Sequence, residues 1–148
     1  MALDVEKINE ANEKLEAQLV KDRDDWKTKI KDLIVKSKNY NDLAECQVMM
    51  LSYRQILLDK VSEFKSTIYK RNAAWDKYWK EAYRNYSLNY DIKLTNGEKN
   101  AFIKADLAPL KTQISLIESH VDYYDQCIRT LDNMAFAIRN RIQLEDNM

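Results

Sequence analysis

From Ile103 to Ile142 the chain carries an unbroken apolar ladder at alternating spacings of four and three: Ile103, Leu107, Leu110, Ile114, Ile117, Val121, Tyr124, Ile128, Leu131, Ala135, Ile138 and Ile142. A mean spacing near 3.5 describes a helix whose narrow apolar seam must be covered by other helices, in the manner of a coiled coil. One chain of 148 residues is expected to cover little of such a seam alone. The ladder therefore predicts an all-α homo-oligomer of long amphipathic helices with coiled-coil-like packing, its interface formed by Ile114, Ile117, Val121, Tyr124, Ile128, Leu131 and Ile138.

The punctuation agrees with long helices. Gly97 and Pro109 are the only glycine and proline, so tight turns are scarce, and the β-branched residues fall at helical spacings. Residues 3–38 carry a thin apolar stripe through Ile8, Leu15, Leu19, Trp26, Ile30 and Leu33, with charges between. The stripe reads as one or two helices, and Lys21 to Asp25 is either a break between them or a solvated face, the solvated face being favoured. Ser37 to Asp42 is a boundary, because Asn39, Asn41 and Asp42 are cap and turn formers ahead of an apolar run from Leu43. The chain thus divides into an N-terminal helical segment, 1–40, and a helical core and oligomerisation region, 41–148, within one continuous domain.

From Asp42 to Tyr90 a second periodic segment runs through Met50, Tyr53, Leu57, Val61, Phe64, Ile68, Trp75, Trp79, Tyr86 and Tyr90. If it is one helix, it bends near Arg71 and Asn72 or projects to pack against other copies; Trp75 and Trp79 are assigned to its core face. Thr95-Asn96-Gly97-Glu98 is a capping box that opens a third helix. Pro109 should kink that helix or restart it, and the unbroken phase of the ladder favours a kink.

No catalytic signature is present. His120 is the only histidine and has no nucleophile motif to serve; a structural or exposed role is expected. Cys46 and Cys127 stand 81 positions apart without metal-ligand spacing, so no metal or cofactor is expected and both thiols read as small core side chains. No apolar run approaches the roughly 20 residues that span a bilayer, and the start has no secretory pattern. A non-enzymatic cytoplasmic protein is expected.

Charge is balanced, 24 basic against 24 acidic side chains, so the distribution matters more than the sum. Lys65 to Arg84 is the one clearly basic window, with Lys65, Lys70, Arg71, Lys77, Lys80 and Arg84 against Asp76 and Glu81. At 100° per residue, Lys70, Lys77, Lys80 and Arg84 fall within about 80° of one another and roughly 200° from the apolar face. Tyr69, Tyr78 and Tyr83 flank that face. Cations for phosphates with rings for unpaired bases is the pattern expected of a single-stranded nucleic-acid site. On periodicity alone, a structural or adaptor coiled-coil protein without nucleic-acid binding accounts for the sequence as well.

Four collinear stretches over residues 43–142 carry a family likeness: Val48-Met49-Met50-Leu51-Ser52-Tyr53, the basic segment ending Lys80 to Ser87, Glu98 to Leu107 with its Ala105-Asp106, and Phe136-Ala137-Ile138-Arg139. They resemble the UvsY recombination mediator proteins of T4-like phages. The resemblance implies a hexameric or heptameric ring that works in the bacterial host cell during phage infection. Such a ring binds single-stranded DNA, loosens the single-stranded-DNA-binding protein and loads a RecA-like recombinase. In that family a lysine and an arginine two residues apart, ahead of a tyrosine pair, contribute to DNA binding. On this chain the lysine falls on Lys80 and the second tyrosine on Tyr86, while Ala82 stands at the arginine position and Arg84 follows half a turn later.

Overall fold

A computed structural model describes residues 3–89 and 92–147 of the chain. Its elements are α1 (Val5–Lys36), a short 3-10 turn (Tyr40–Asp42), α2 (Leu43–Leu88), α3 (Asn96–Asp106) and α4 (Ala108–Asp146), with no strand among the described residues. None of these helices is long and apolar enough to cross a membrane. Two units are distinguished. One comprises Met1–Ala17 and Lys65–Ser119, the other Gln18–Phe64 and His120–Met148.

In the second unit, segments of α1, α2 and α4 enclose Leu19, Trp26, Leu33, Leu43, Cys46, Met50, Leu57, Val61, Val121, Tyr124, Cys127, Leu131 and Ile138. Trp26 is 1% exposed and meets Tyr53 edge to face at 5.6 Å, with the Lys29 ammonium 4.5 Å from the indole centroid. The α1–α2 boundary is closed locally. Asn39 accepts from the backbone N–H of Asn41, and the Ser37 hydroxyl donates to the Ile34 carbonyl. It is also held from a distance, because the Arg141 guanidinium on α4 donates to the carbonyls of Ser37 and Lys38 at 2.7 and 3.2 Å. Those carbonyls lie just past the end of α1, where backbone acceptors lack helical partners.

In the first unit, Ile103, Leu107, Leu110, Ile114 and Ile117 are buried. The capping box forms: the Glu98 N–H donates to Thr95 Oγ1 at 3.2 Å and the Thr95 N–H to Glu98 Oε1 at 3.3 Å. The helix does not kink through Pro109. It breaks at Leu107, whose backbone leaves helical values (φ −95°, ψ 1°), and restarts at Ala108. Pro109 then lies in the first turn of α4, where a missing N–H costs nothing. The Leu107 carbonyl still accepts from Leu110 and Lys111 at 3.1 Å each, so the break is one residue wide and the ladder keeps its phase. Buried Asn12 on α1 donates to the Pro109 carbonyl at 2.9 Å.

Two expectations are corrected. The ladder does not wait for other copies: every rung except half-buried Ala135 and Ile142 is buried by the chain itself. Ile114, Ile117, Val121, Tyr124, Ile128, Leu131 and Ile138, expected at a subunit interface, are core residues, none more than 9% exposed. Within each unit the rungs are covered by the chain's own residues, which periodicity in one helix does not reveal. Second, Trp75 and Trp79 are half-buried, not core. The buried residues of α2 end at Val61, so its C-terminal half lays Ile68, Trp75, Tyr78, Trp79 and Tyr86 on the structure without fully covering any of them. α2 itself is uninterrupted at Arg71 and Asn72. Tyr90, the last expected rung, lies outside the described residues.

Candidate nucleic-acid interface

All eight expected contact residues lie on the part of α2 that belongs to the first unit. Lys70, Arg71, Lys77, Lys80 and Arg84 are exposed, Tyr69 is 77% exposed, and Tyr78 is half-buried. α2 keeps Lys70, Lys77, Lys80 and Arg84 outward because its opposite face, at helical spacing, carries the half-buried aromatics, while Arg71 lies at the edge of that aromatic face. Trp75 and Trp79, one turn apart, lie 5.9 Å apart at 34°.

The structure brings only some of the eight together. A cavity of about 830 Å³ beside α2 is lined by Lys77, Tyr78, Lys80, Glu81 and Arg84, by Val5 at the start of α1 and by Leu3 just before it. Tyr69, Lys70, Arg71 and Tyr83 do not line it. Asp106 closes one side, its carboxylate accepting from the Tyr86 hydroxyl, while the Tyr86 ring stacks on Phe102 at 5.7 Å and 25°. A wall of that kind is a fixed one, since both the ring and the hydroxyl are committed.

Tyr83 is placed differently from the expectation. Its hydroxyl donates to Asn96 Oδ1 at 3.2 Å, and the Lys99 ammonium sits 5.1 Å from its ring centroid. A cation over a tyrosine face is favourable, and it occupies a surface that a base would need. Lys99 is thus a cation of this region that the sequence reading passed over. Its signal was present in the capping box, which fixes where α3 begins and hence which side chains of its first turn face α2. Asn85 and Asn89, also on the cavity wall, were passed over because amides carry no charge pattern.

A second polar cluster lies in the other unit. His120 is fully buried, and its Nε2 is 2.9 Å from Asp22 Oδ2, which also accepts from the Tyr124 hydroxyl. Phe64, Tyr123 and Tyr124 surround the imidazole, the last at 4.4 Å. Nδ1 has no hydrogen-bond partner among the described residues. Burial holds the His120 pKa below its ordinary 6.5 against the opposing pull of Asp22. Burial opposes ionisation of Asp22 too, but the hydrogen bonds from Tyr124 and His120 outweigh it and the carboxyl titrates below its ordinary range. The ring is therefore neutral, with Nε2–H donating to a carboxylate and Nδ1 bare. A base sealed from solvent has no route to a substrate, so the cluster reads as packing chemistry. Asp22 is the correction here: it lies within the stretch expected to be a solvated face, and it turns inward.

Cys46 and Cys127 are buried free thiols, and burial raises both pKa values. No group of His, Cys, Asp and Glu among the described residues is arranged to hold a metal ion. No family model, curated protein or solved structure matches the chain.

Proposed function

We propose that the protein is a recombination mediator: a non-enzymatic, all-α homo-oligomer that binds single-stranded DNA, helps displace the single-stranded-DNA-binding protein and loads a RecA-like recombinase. The observation that carries the reading is the cavity in which Lys77, Lys80 and Arg84 stand with Tyr78 and outnumber the carboxylates of Glu81 and Asp106. Phosphate neutralisation by exposed cations and stacking on an aromatic side chain are what unpaired strands require, and neither needs base-specific contacts. The partner assignments rest on the likeness to the UvsY proteins. A ring of copies would repeat the three lining cations and convert a weak local patch into a multivalent track.

The test is fluorescence anisotropy of a labelled oligo-dT strand at low and high salt, with duplex as competitor. Three cations each meeting a phosphate contribute about −2 to the slope of log K against log salt on single strands. Lys77→Ala/Lys80→Ala/Arg84→Ala is expected to lose that share of the slope and most of the low-salt affinity. Binding as tight as the parent's at equal salt would remove the cavity from the site.

One observation favours the rival reading, a structural or adaptor protein. In the second unit, Met50, Leu51, Leu131 and Ala135 line a groove of about 310 Å³ bordered by Arg54, Asp132 and Arg139. Leu51 is 71% exposed, and nearby Val48 and Phe136, at 67% and 61%, present further apolar area. Exposed apolar patches with polar rims are typical of protein-binding surfaces. The adaptor reading predicts salt-independent self-association and no strand binding.

A further inference from the structure

The cavity beside α2 holds more than a stripe of cations requires. A surface that only neutralises phosphates needs no hollow, yet this one is a half-open cavity of about 830 Å³, a volume within the range of roughly 300–1,000 Å³ typical of small-ligand sites. Its chemistry is divided. Leu3, Val5 and Leu88 supply aliphatic surface, and Tyr78 supplies a half-buried ring. Lys77, Lys80 and Arg84 supply positive charge along the same cavity, partly offset by the carboxylates of Glu81 and Asp106 on its wall.

Between these lies a neutral polar edge. Asn85 and Asn89 are one helical turn apart and joined amide to amide, the Asn89 Nδ2 donating to Asn85 Oδ1 at 2.8 Å. That bond uses Asn85 Oδ1 as the acceptor and one Asn89 N–H as the donor, so at these two exposed positions the pair still offers Asn85 Nδ2 as a donor and Asn89 Oδ1 as an acceptor. A donor and an acceptor side by side, in a cavity with an aromatic ring and an aliphatic wall, complement the edge of a nucleobase. A bare anion would have no use for the aliphatic wall, and an apolar ligand would have none for the three cations.

We propose that this cavity receives one unpaired nucleobase of the bound strand, its edge on the Asn85–Asn89 amides and its face on Tyr78, with the flanking phosphates on Lys77, Lys80 and Arg84. The proposal rests on the strand-binding reading above and deepens it. It gives the site a physical reason to prefer single strands, because a base inside a duplex must first leave its stack at a cost of a few kcal/mol.

The experiment compares oligo-dT with an abasic strand of the same length and backbone charge, by anisotropy at fixed salt. The parent is expected to bind the abasic strand about tenfold or more weakly, the loss that one stacked base accounts for. Asn85→Ala/Asn89→Ala, at two exposed positions, and Tyr78→Ala are each expected to shrink the preference while the salt slope persists. Circular dichroism confirms that the helices are retained. Equal affinity of the parent for both strands overturns the base pocket and leaves strand binding standing. A preference that survives all three substitutions combined also overturns it, since the stacking then lies elsewhere. Absence of binding to either strand overturns both this proposal and the reading beneath it.

Discussion

Replacing Asp22 with alanine removes one carboxylate that two buried donors share. In the parent, His120 Nε2–H and the Tyr124 hydroxyl both end on Asp22 Oδ2; in Asp22→Ala neither has an acceptor. A buried donor left without a partner costs about 1–3 kcal/mol. Asp22 retains 29% side-chain exposure, so water entering the vacated space can satisfy part of the loss. The two donors together are therefore expected to cost about 2–4 kcal/mol, toward the lower end of the doubled range. Urea unfolding followed by circular dichroism reads this as a lower midpoint at an unchanged m value. Tyr124→Phe is the control, because it deletes a donor and leaves no orphan, for a loss of about 1 kcal/mol. If Asp22→Ala is no less stable than Tyr124→Phe, the shared-acceptor reasoning fails.

The same cluster sets a pH dependence. The folded-state pKa of His120 lies below its ordinary 6.5, so the unfolded chain takes up a proton first, and stability declines as pH falls below about 6.5. Asp22, also held low, contributes stability that is present above its ordinary 3.8 and lost beneath it. A urea midpoint measured at pH 7.5, 6 and 5 should fall in that order, and His120→Phe should flatten the decline; a flat parent profile would contradict the buried neutral ring. Leu131→Asp places an unpaired charge at a position 1% exposed and is expected to unfold the second unit, at a cost above about 3 kcal/mol, whereas loss of oligomers with full helicity would return Leu131 to an interface. Thr95→Ala deletes the capping acceptor of Glu98 N–H and should cost about 1 kcal/mol in a thermal melt, with no cost meaning that α3 starts elsewhere.

Helix identity and most boundaries were legible in the sequence because their causes are local. Thr95 and Glu98 are three residues apart and need only one another, and Asn39 needs only Asn41. Periodicity likewise named the residues of α4 that are buried. It could not say what buries them. Whether Ile114 or Leu131 faces a second copy or the chain's own α1 and α2 is a matter of contacts between distant residues, which a repeat within one helix does not encode.

The candidate site divides in the same way. That Lys77, Lys80 and Arg84 share one side of a helix follows from 3.6 residues per turn and is fixed by spacing alone. That the same cavity also has Leu3, Val5 and the Asn85–Asn89 pair on its wall, and that Tyr83 is taken by Asn96 and Lys99, depends on elements brought together by folding. Asp22 shows the distinction most clearly. Its neighbours in sequence are charged, with Lys21, Asp24 and Asp25 facing solvent, and only the arrival of His120 and Tyr124, 98 and 102 residues later in the chain, turns one carboxylate of a charged run into the acceptor that a buried imidazole requires.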